Sequence, residues 1–120
     1  GYNETLAHEA YAASDLILMP SRVEPCGLNQ LYALKYGTIP VVRGIGGLKD
    51  TVIDISEPKG YGFVFKEFEV DKIVESIERA VEFSMDEKKW ASIVKQSMAL
   101  DYSWDKSAKK YIELYNQLLK

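Results

Sequence analysis

Two short apolar runs with a helical segment between them constrain the fold of this chain more than any other feature. "DLILMP", residues 15–20, and "TIPVV", residues 38–42, have the length and apolar content of strands in a sheet, and we expect the first to be buried on both faces. "GLNQLYALKYG" between them predicts a helix that ends at Gly37, where a left-handed residue suits a helix end. This strand–helix–strand order predicts the α/β class, with a parallel sheet flanked by helices.

The rest of the chain extends the same pattern. "ETLAHEAYAAS" predicts a helix capped by Asn3, and the glycine-rich "RGIGGLKD" leads into a β-rich run, "TVIDI". "FVFKEF" predicts a further strand. The last third is helical, with Asp71 as the expected N-cap of one helix and an apolar stripe in the last, from about Asp105. We expect one domain.

Composition excludes several classes of function. The chain has 15 Lys and Arg against 18 Asp and Glu, a net charge of −3, and its basic residues do not cluster, so we expect no nucleic-acid partner. Its apolar runs are too short to cross a membrane. One cysteine and one histidine are too few for a metal site, and a single cysteine fits a reducing cytosol. Because the sequence lacks an initiator Met, we expect a segment of a longer protein.

"EPCGLNQ", residues 24–30, places a glutamate, the cysteine and a glycine where a strand gives way to a helix. That position is where open α/β sheets bind ligands, and amides at a helix start near residues 26–28 attract anions and hydroxyl groups. Glu24 could therefore accept hydrogen bonds from a polyol, or it could simply complement the helix dipole. Spacing alone leaves both interpretations open.

Three other features have plainer interpretations. The glycines of "RGIGGLKD" resemble a phosphate-binding loop, but the spacing is not diagnostic and a glycine turn without a ligand is favoured. We expect Cys26 to be a small, buried thiol rather than a nucleophile, because no general base lies in its segment. His8 lies within a helix and is interpreted as a core or helix-packing residue.

Two longer segments of the sequence resemble a known protein family. "PSRVEPCGLNQLYALKYGTIPVVR" and the later "DYSWDKSAKKYIELYNQL" resemble the C-terminal domain of bacterial glycogen synthases and plant starch synthases, and the likeness covers essentially the whole chain. These are retaining glucosyltransferases of the GT-B fold, with two Rossmann-like domains. They transfer glucose from ADP-glucose, or UDP-glucose in some members, to the non-reducing end of an α-1,4-glucan, without a further cofactor.

The resemblance also implies an organisation. Residues 1–120 would be the C-terminal part of an incomplete donor-binding domain with a Rossmann-like sheet and a helical C-terminal third. Residues 105–119 would form a closing helix that contacts the N-terminal domain, which would bind the α-glucan acceptor. The expected location is the bacterial cytoplasm, or the plastid for a plant protein.

The resemblance assigns roles to individual positions. Glu24 matches a catalytic glutamate that binds the hydroxyls of the donor glucose. The other substrate-binding positions are Tyr2 on the adenine, Cys26, Gly27 and Leu28 on the donor sugar, and Ile45, Gly46, Gly47 and Leu48 near the diphosphate.

Three positions distinguish this chain within the wider group. Ile45 stands where the family usually has threonine, and Val23 replaces an aromatic residue. Tyr32 stands where sucrose-type transferases have a second glutamate, which favours the synthase branch. The family's phosphate-neutralising arginine and lysine lie outside this stretch, so we expect the isolated chain to be inactive and to bind ADP weakly. The alternative is a free-standing, non-catalytic nucleotide- or glucan-binding module.

Overall fold

The two apolar runs form neighbouring parallel strands in the structure, a computed structural model that describes Gly1 and residues 3–119. The strands are β1 (Leu16–Met19), β2 (Ile39–Arg43) and β3 (Phe63–Phe65). Their order in the sheet is β1-β2-β3, and both neighbouring pairs are parallel. The predicted α/β class with a parallel sheet is confirmed, and so is the third strand.

Helices precede, connect and follow these strands. They are α1 (Glu4–Ala13), α2 (Asn29–Tyr36), α3 (Gly46–Thr51), α4 (Val70–Ser84), α5 (Glu87–Met98) and α6 (Trp104–Leu118). Asn3 caps α1 as predicted, because its side chain accepts from the amide of Leu6 at 3.0 Å. Gly37 ends α2 with φ of 81°, which confirms the predicted left-handed position.

Apolar side chains cover both faces of the sheet. On one face, the alternate residues Ile39, Val41, Phe63 and Phe65 pack with residues of α4 and α5, among them Ala80 and Ile93. On the other face, Met19 and Val42 pack with Leu48 and Val52, which lie within and just after α3. The core therefore sits around β2, whose first four residues are fully buried.

The prediction that "DLILMP" is buried on both faces is wrong for this chain. Only Met19 of β1 is buried, and the side chain of Leu18 is 44% exposed. The physical reason is position, because β1 is an edge strand of the described sheet, whereas β2 has a neighbour on each side.

Two further predictions fail in detail. The β-rich "TVIDI" is not a strand: Thr51 ends α3, and Asp54 makes only an isolated bridge with Gly62. Burial of Leu48 and Val52 beneath the sheet outweighs the β propensity of this run. The N-cap of α4 is Glu69 rather than Asp71, because the chain turns helical at Val70.

The last helix begins at Trp104, one residue before the predicted start, and differs from the others in its packing. No described residue of α6 is buried, and its apolar side chains include Tyr111 and Ile112, each 57% exposed, and Leu118, 75% exposed. Within the described part of the chain, none of the helices is both long and apolar enough to cross a membrane.

Candidate functional site

Two loops meet beyond the carboxyl ends of β1 and β2. We call residues 24–28 the EPCGL loop and residues 44–48 the glycine loop. The first lies between β1 and α2, and the second follows β2 and includes the first three residues of α3. This edge of a parallel α/β sheet is where such folds bind ligands, so the candidate site is built here.

The two loops touch through their backbones. The amide of Gly47 donates to the carbonyl oxygen of Pro25 at 3.2 Å. A Cβ atom on Gly46 would overlap the carbonyl oxygen of Glu24, and one on Gly47 would overlap the backbone of Cys26. Glycine is therefore required at both positions for the loops to approach this closely, and the structure brings together the two segments that the sequence singled out.

The amides of the glycine loop are mostly used inside the protein. Gly44 donates to Phe65 O at 2.8 Å, Ile45 to Arg43 O at 2.8 Å, and Leu48 to Ile45 O at 3.1 Å. Among the described residues, the amide of Gly46 is the one in this loop with no hydrogen-bond acceptor, and the side chain of Leu48 is fully buried. The loop presents one free amide rather than a converging set. Its approach to a diphosphate stays a prediction.

Glu24 is not the cap of the following helix. The N-cap of α2 is Leu28, and no side chain makes a capping hydrogen bond there. Glu24 is half-buried, and the hydroxyl of Ser21 donates to its Oε2 at 3.2 Å. Within residues 3–119 no other hydrogen bond or ion pair involves this carboxylate, which therefore keeps acceptor capacity for hydroxyl groups.

The opening of α2, five residues after Glu24 in the chain, offers hydrogen-bond donors. The helix begins at Asn29, just after the predicted 26–28, and its first backbone bond runs from Tyr32 N to Leu28 O at 3.0 Å. Amides of residues 29–31 precede that bond and have no acceptor within the helix. Unpaired amides at a helix start favour anions and polarised oxygens, which complements the carboxylate of Glu24.

The remaining predicted residues have mixed outcomes. The prediction of a buried Cys26 thiol is wrong: Cys26 is exposed, because it packs against the glycine loop with its backbone. His8 is a helix-packing residue, as predicted, with Nδ1 2.8 Å from the hydroxyl of Tyr36 on α2. Tyr2 lies outside the described residues.

The sequence did not predict a role for two residues that contact these loops, Gln30 and Thr51. The side chain of Gln30 is fully buried, and the two N–H groups of its Nε2 are shared among three acceptors, Cys26 O, Gly27 O and Thr51 Oγ1, each at 3.1 Å. Thr51 Oγ1 in turn donates to Gly47 O at 2.6 Å. The sequence offered little signal for Gln30, because its helix also contains the polar residues Asn29 and Lys35.

Thr51 is also held from its other side. Its carbonyl oxygen accepts from the hydroxyl of Tyr61 at 2.8 Å and from that of Tyr102 at 3.3 Å. Burial, together with the hydrogen bond to Tyr102, raises the pKa of Tyr61 well above its usual range. A tyrosine phenol is a neutral hydrogen-bond donor at physiological pH, and the raised pKa extends this form to more alkaline pH.

The two arginines near the loops are already engaged in contacts within the protein. Arg43 donates through Nε to Lys66 O at 3.2 Å and through Nη1 to Arg22 O at 3.1 Å, so it ties the ends of the strands together. Its guanidinium and that of Arg22 lie 5.4 and 4.9 Å from the centre of the Phe68 ring. No group of three or more potential His, Cys, Asp or Glu metal ligands occurs among the described residues.

Comparisons with known proteins agree on one family. Residues 1–97 match the family of glycosyl transferases group 1. The chain is 54% identical over 99% of its length to a glycogen synthase from Bacillus cereus, and 52% identical to one from Flavobacterium johnsoniae. It spans about a quarter of the length of these curated relatives, 25% of each.

Solved structures give the same result for the fold. The catalytic domain of starch synthase IV from Arabidopsis thaliana, bound to ADP and acarbose, matches 98% of this chain and 25% of that chain, with a TM-score of 0.89 and 43% identity. A sucrose-phosphate synthase from Thermosynechococcus elongatus matches 92% of this chain and 27% of that chain, with a TM-score of 0.66 and 26% identity.

Proposed function

Because the chain belongs to the family of glycosyl transferases group 1, we propose that it forms part of a glycogen or starch synthase. The enzyme transfers glucose from ADP-glucose, or UDP-glucose, to the non-reducing end of an α-1,4-glucan with retention of configuration. The bond from the glucose anomeric carbon to the diphosphate breaks, and a glycosidic bond to the acceptor hydroxyl forms. This chain supplies contacts to the donor sugar and nucleotide.

One observation carries the proposal: the EPCGL loop and the glycine loop are held together beyond the carboxyl ends of β1 and β2. A half-buried carboxylate there lies just before a helix whose first amides have no helical acceptor. A sugar linked to a diphosphate carries hydroxyl groups that can donate to the carboxylate, and negative charge that suits the free amides. The likeness to glycogen synthases over 99% of the chain supports the same assignment.

Within that reaction, Glu24 is the catalytic residue and accepts hydrogen bonds from the donor glucose. Donor contacts also come from Cys26, Gly27 and Leu28, and the diphosphate lies near Ile45, Gly46, Gly47 and Leu48, with Tyr2 on the adenine. Developing charge on a departing diphosphate needs cations aimed at it, and Arg43 is committed to carbonyl oxygens. The rest of the enzyme therefore supplies those cations and the acceptor site, and the chain alone is inactive.

The supporting likenesses also bear on partners and location. A starch synthase that matches 98% of this chain is bound to ADP and acarbose, which supports a nucleotide-sugar donor and an α-glucan acceptor. The bacterial relatives support a bacterial cytoplasmic location, and a plant protein would lie in the plastid.

The test uses a hybrid enzyme, in which this chain replaces the matching quarter of the Bacillus cereus glycogen synthase. We expect the hybrid to transfer labelled glucose from ADP-glucose to glycogen, and the chain alone to transfer none. Glu24→Gln keeps the shape of the side chain but removes its charge, and it should lower the transfer rate about 100-fold or more.

Glu78→Gln on the exposed surface of α4 is the matched control, and its rate should equal that of the unsubstituted hybrid. Equal rates for the Glu24→Gln and Glu78→Gln hybrids would contradict the role of Glu24. A folded hybrid that binds ADP but transfers no glucose would contradict the proposed reaction and favour a binding module.

A further inference from the structure

The buried amide of Gln30 is the least expected group in this part of the fold. Its side chain is fully buried, and no described residue makes a hydrogen bond to its Oε1. Burying an amide group with an unpaired oxygen is unfavourable compared with burying an apolar side chain of similar size. We therefore expect the amide at this position to make hydrogen bonds whose role a leucine side chain could not fill.

What the amide does is visible in its donor contacts. Two of the three acceptors that share the N–H groups of Nε2 are the carbonyl oxygens of Cys26 and Gly27 in the EPCGL loop. The third is Thr51 Oγ1, whose own proton is donated to Gly47 O in the glycine loop. Gln30 and Thr51 thus form a continuous hydrogen-bonded path between the two loops.

The path runs parallel to the direct contact between the loops. Gly47 uses its carbonyl oxygen for Thr51 and its amide for Pro25 O, so both of its peptide groups are held. On the far side, the carbonyl of Thr51 is anchored by Tyr61 and Tyr102. The separation of the loops is therefore held by their direct backbone contact and, in addition, by side chains that lie behind it.

We propose that Gln30 is a positioning residue that, with Thr51, clamps the EPCGL loop to the glycine loop and so fixes Glu24 and the start of α2 relative to the donor sugar. This inference rests on the proposed function. Because a displacement of about 1 Å costs about 100-fold in rate, loosening the clamp lowers kcat. Contacts to the nucleotide made outside these loops remain, so KM for ADP-glucose changes little.

The test compares Gln30→Leu with the unsubstituted hybrid enzyme. Leucine fills the space but donates no hydrogen bond, so we expect kcat to fall about 10- to 100-fold, with KM for ADP-glucose changed less than about threefold. Thr51→Val breaks the same path and should reproduce the loss, whereas Thr51→Ser keeps the hydroxyl and should retain activity. The double variant Gln30→Leu, Thr51→Val should lose no more than the worse single variant, because both break one path.

A second readout does not depend on catalysis. Hydrogen–deuterium exchange of residues 45–48 reports the amide of Gly47, which is bonded to Pro25 O. Gln30→Leu should speed this exchange about tenfold and leave exchange in α4 unchanged. Ile93→Ala in the core beside α4 is the control for general destabilisation, and its kcat per folded enzyme should be normal.

Each outcome decides between the alternatives. Unchanged exchange at residues 45–48 in Gln30→Leu would overturn the clamp, whatever the activity. Faster exchange with normal kcat would overturn its role in the reaction. If the unsubstituted hybrid transfers no glucose, the proposed function fails, while the exchange rates still support or refute the clamp.

Discussion

At the scale of single residues, the glycines of this site matter because they have no Cβ atom. Gly46 has φ of 50°, and a Cβ there would overlap the carbonyl oxygen of Glu24. Gly47 needs no unusual backbone angle, but its Cα faces the backbone of Cys26 with no room for a methyl group. A glycine pattern that resembles a phosphate-binding loop can thus be required because two loops of the protein touch at those glycines.

Gly47→Ala should separate the loops and destabilise the protein. Forcing a methyl group against rigid backbone costs about 1–3 kcal/mol, so the free energy of unfolding should fall by that amount. Urea unfolding of the chain measures it. Gly1→Ala is the control, because nothing lies within 4 Å of a Cβ at that position. Equal unfolding midpoints for Gly47→Ala and Gly1→Ala would contradict the packing role.

The sequence predicted part of this site, for physical reasons that differ between residues. For Glu24, spacing alone leaves a helix-dipole role and a ligand role open, and it is the family resemblance that assigns it to the donor sugar; that role stays a prediction. The exposure of Cys26 was not predictable, because it depends on which part of the residue meets the glycine loop. Gln30 and Thr51 lie 21 positions apart and meet only in the folded chain, so no local pattern indicates their bond.

At the scale of elements, one carboxylate joins β3 to α4. Asp54 Oδ2 accepts from the amide of Val64 at 2.7 Å, and Oδ1 accepts from Arg79 Nη2 at 2.8 Å. Burial by itself would raise the pKa of Asp54, but hydrogen bonds from Arg79, Ser56 and Val64 outweigh it and hold the pKa below its usual value. The ionised form is therefore the one that stabilises the fold.

This arrangement predicts a pH dependence of stability. A carboxyl group whose pKa is lower in the folded state stabilises the protein above its unfolded pKa of about 3.9, and the stabilisation is lost as pH falls through the folded value. Thermal unfolding between about pH 2 and pH 7 measures it. Asp54→Asn should lower stability at neutral pH and flatten the acid limb of the curve. Asp50→Asn, at an exposed position, should not. Parallel curves for the Asp54→Asn and unsubstituted proteins would contradict this account.

At the scale of the whole molecule, β1 and α6 both leave apolar surface uncovered in the described part of the chain. β1 is an edge strand with Leu18 exposed, and α6 exposes Tyr111, Ile112 and Leu118. The chain spans 25% of its curated relatives, and we expect the rest of such an enzyme to cover both surfaces. The contact between residues 105–119 and an N-terminal domain stays a prediction. The apolar pattern of β1 predicted burial because a local pattern reports hydrophobicity and not how many neighbours a strand has.

A crystal structure of the Glu24→Gln hybrid enzyme with ADP-glucose tests the central claim most directly, because slow transfer would leave the donor intact. We expect a glucose hydroxyl within about 2.6–3.2 Å of the residue 24 side chain, and further sugar oxygens at the amides that open α2. A glucose bound away from both the EPCGL loop and the start of α2 would contradict the proposal that this chain forms the donor-sugar site.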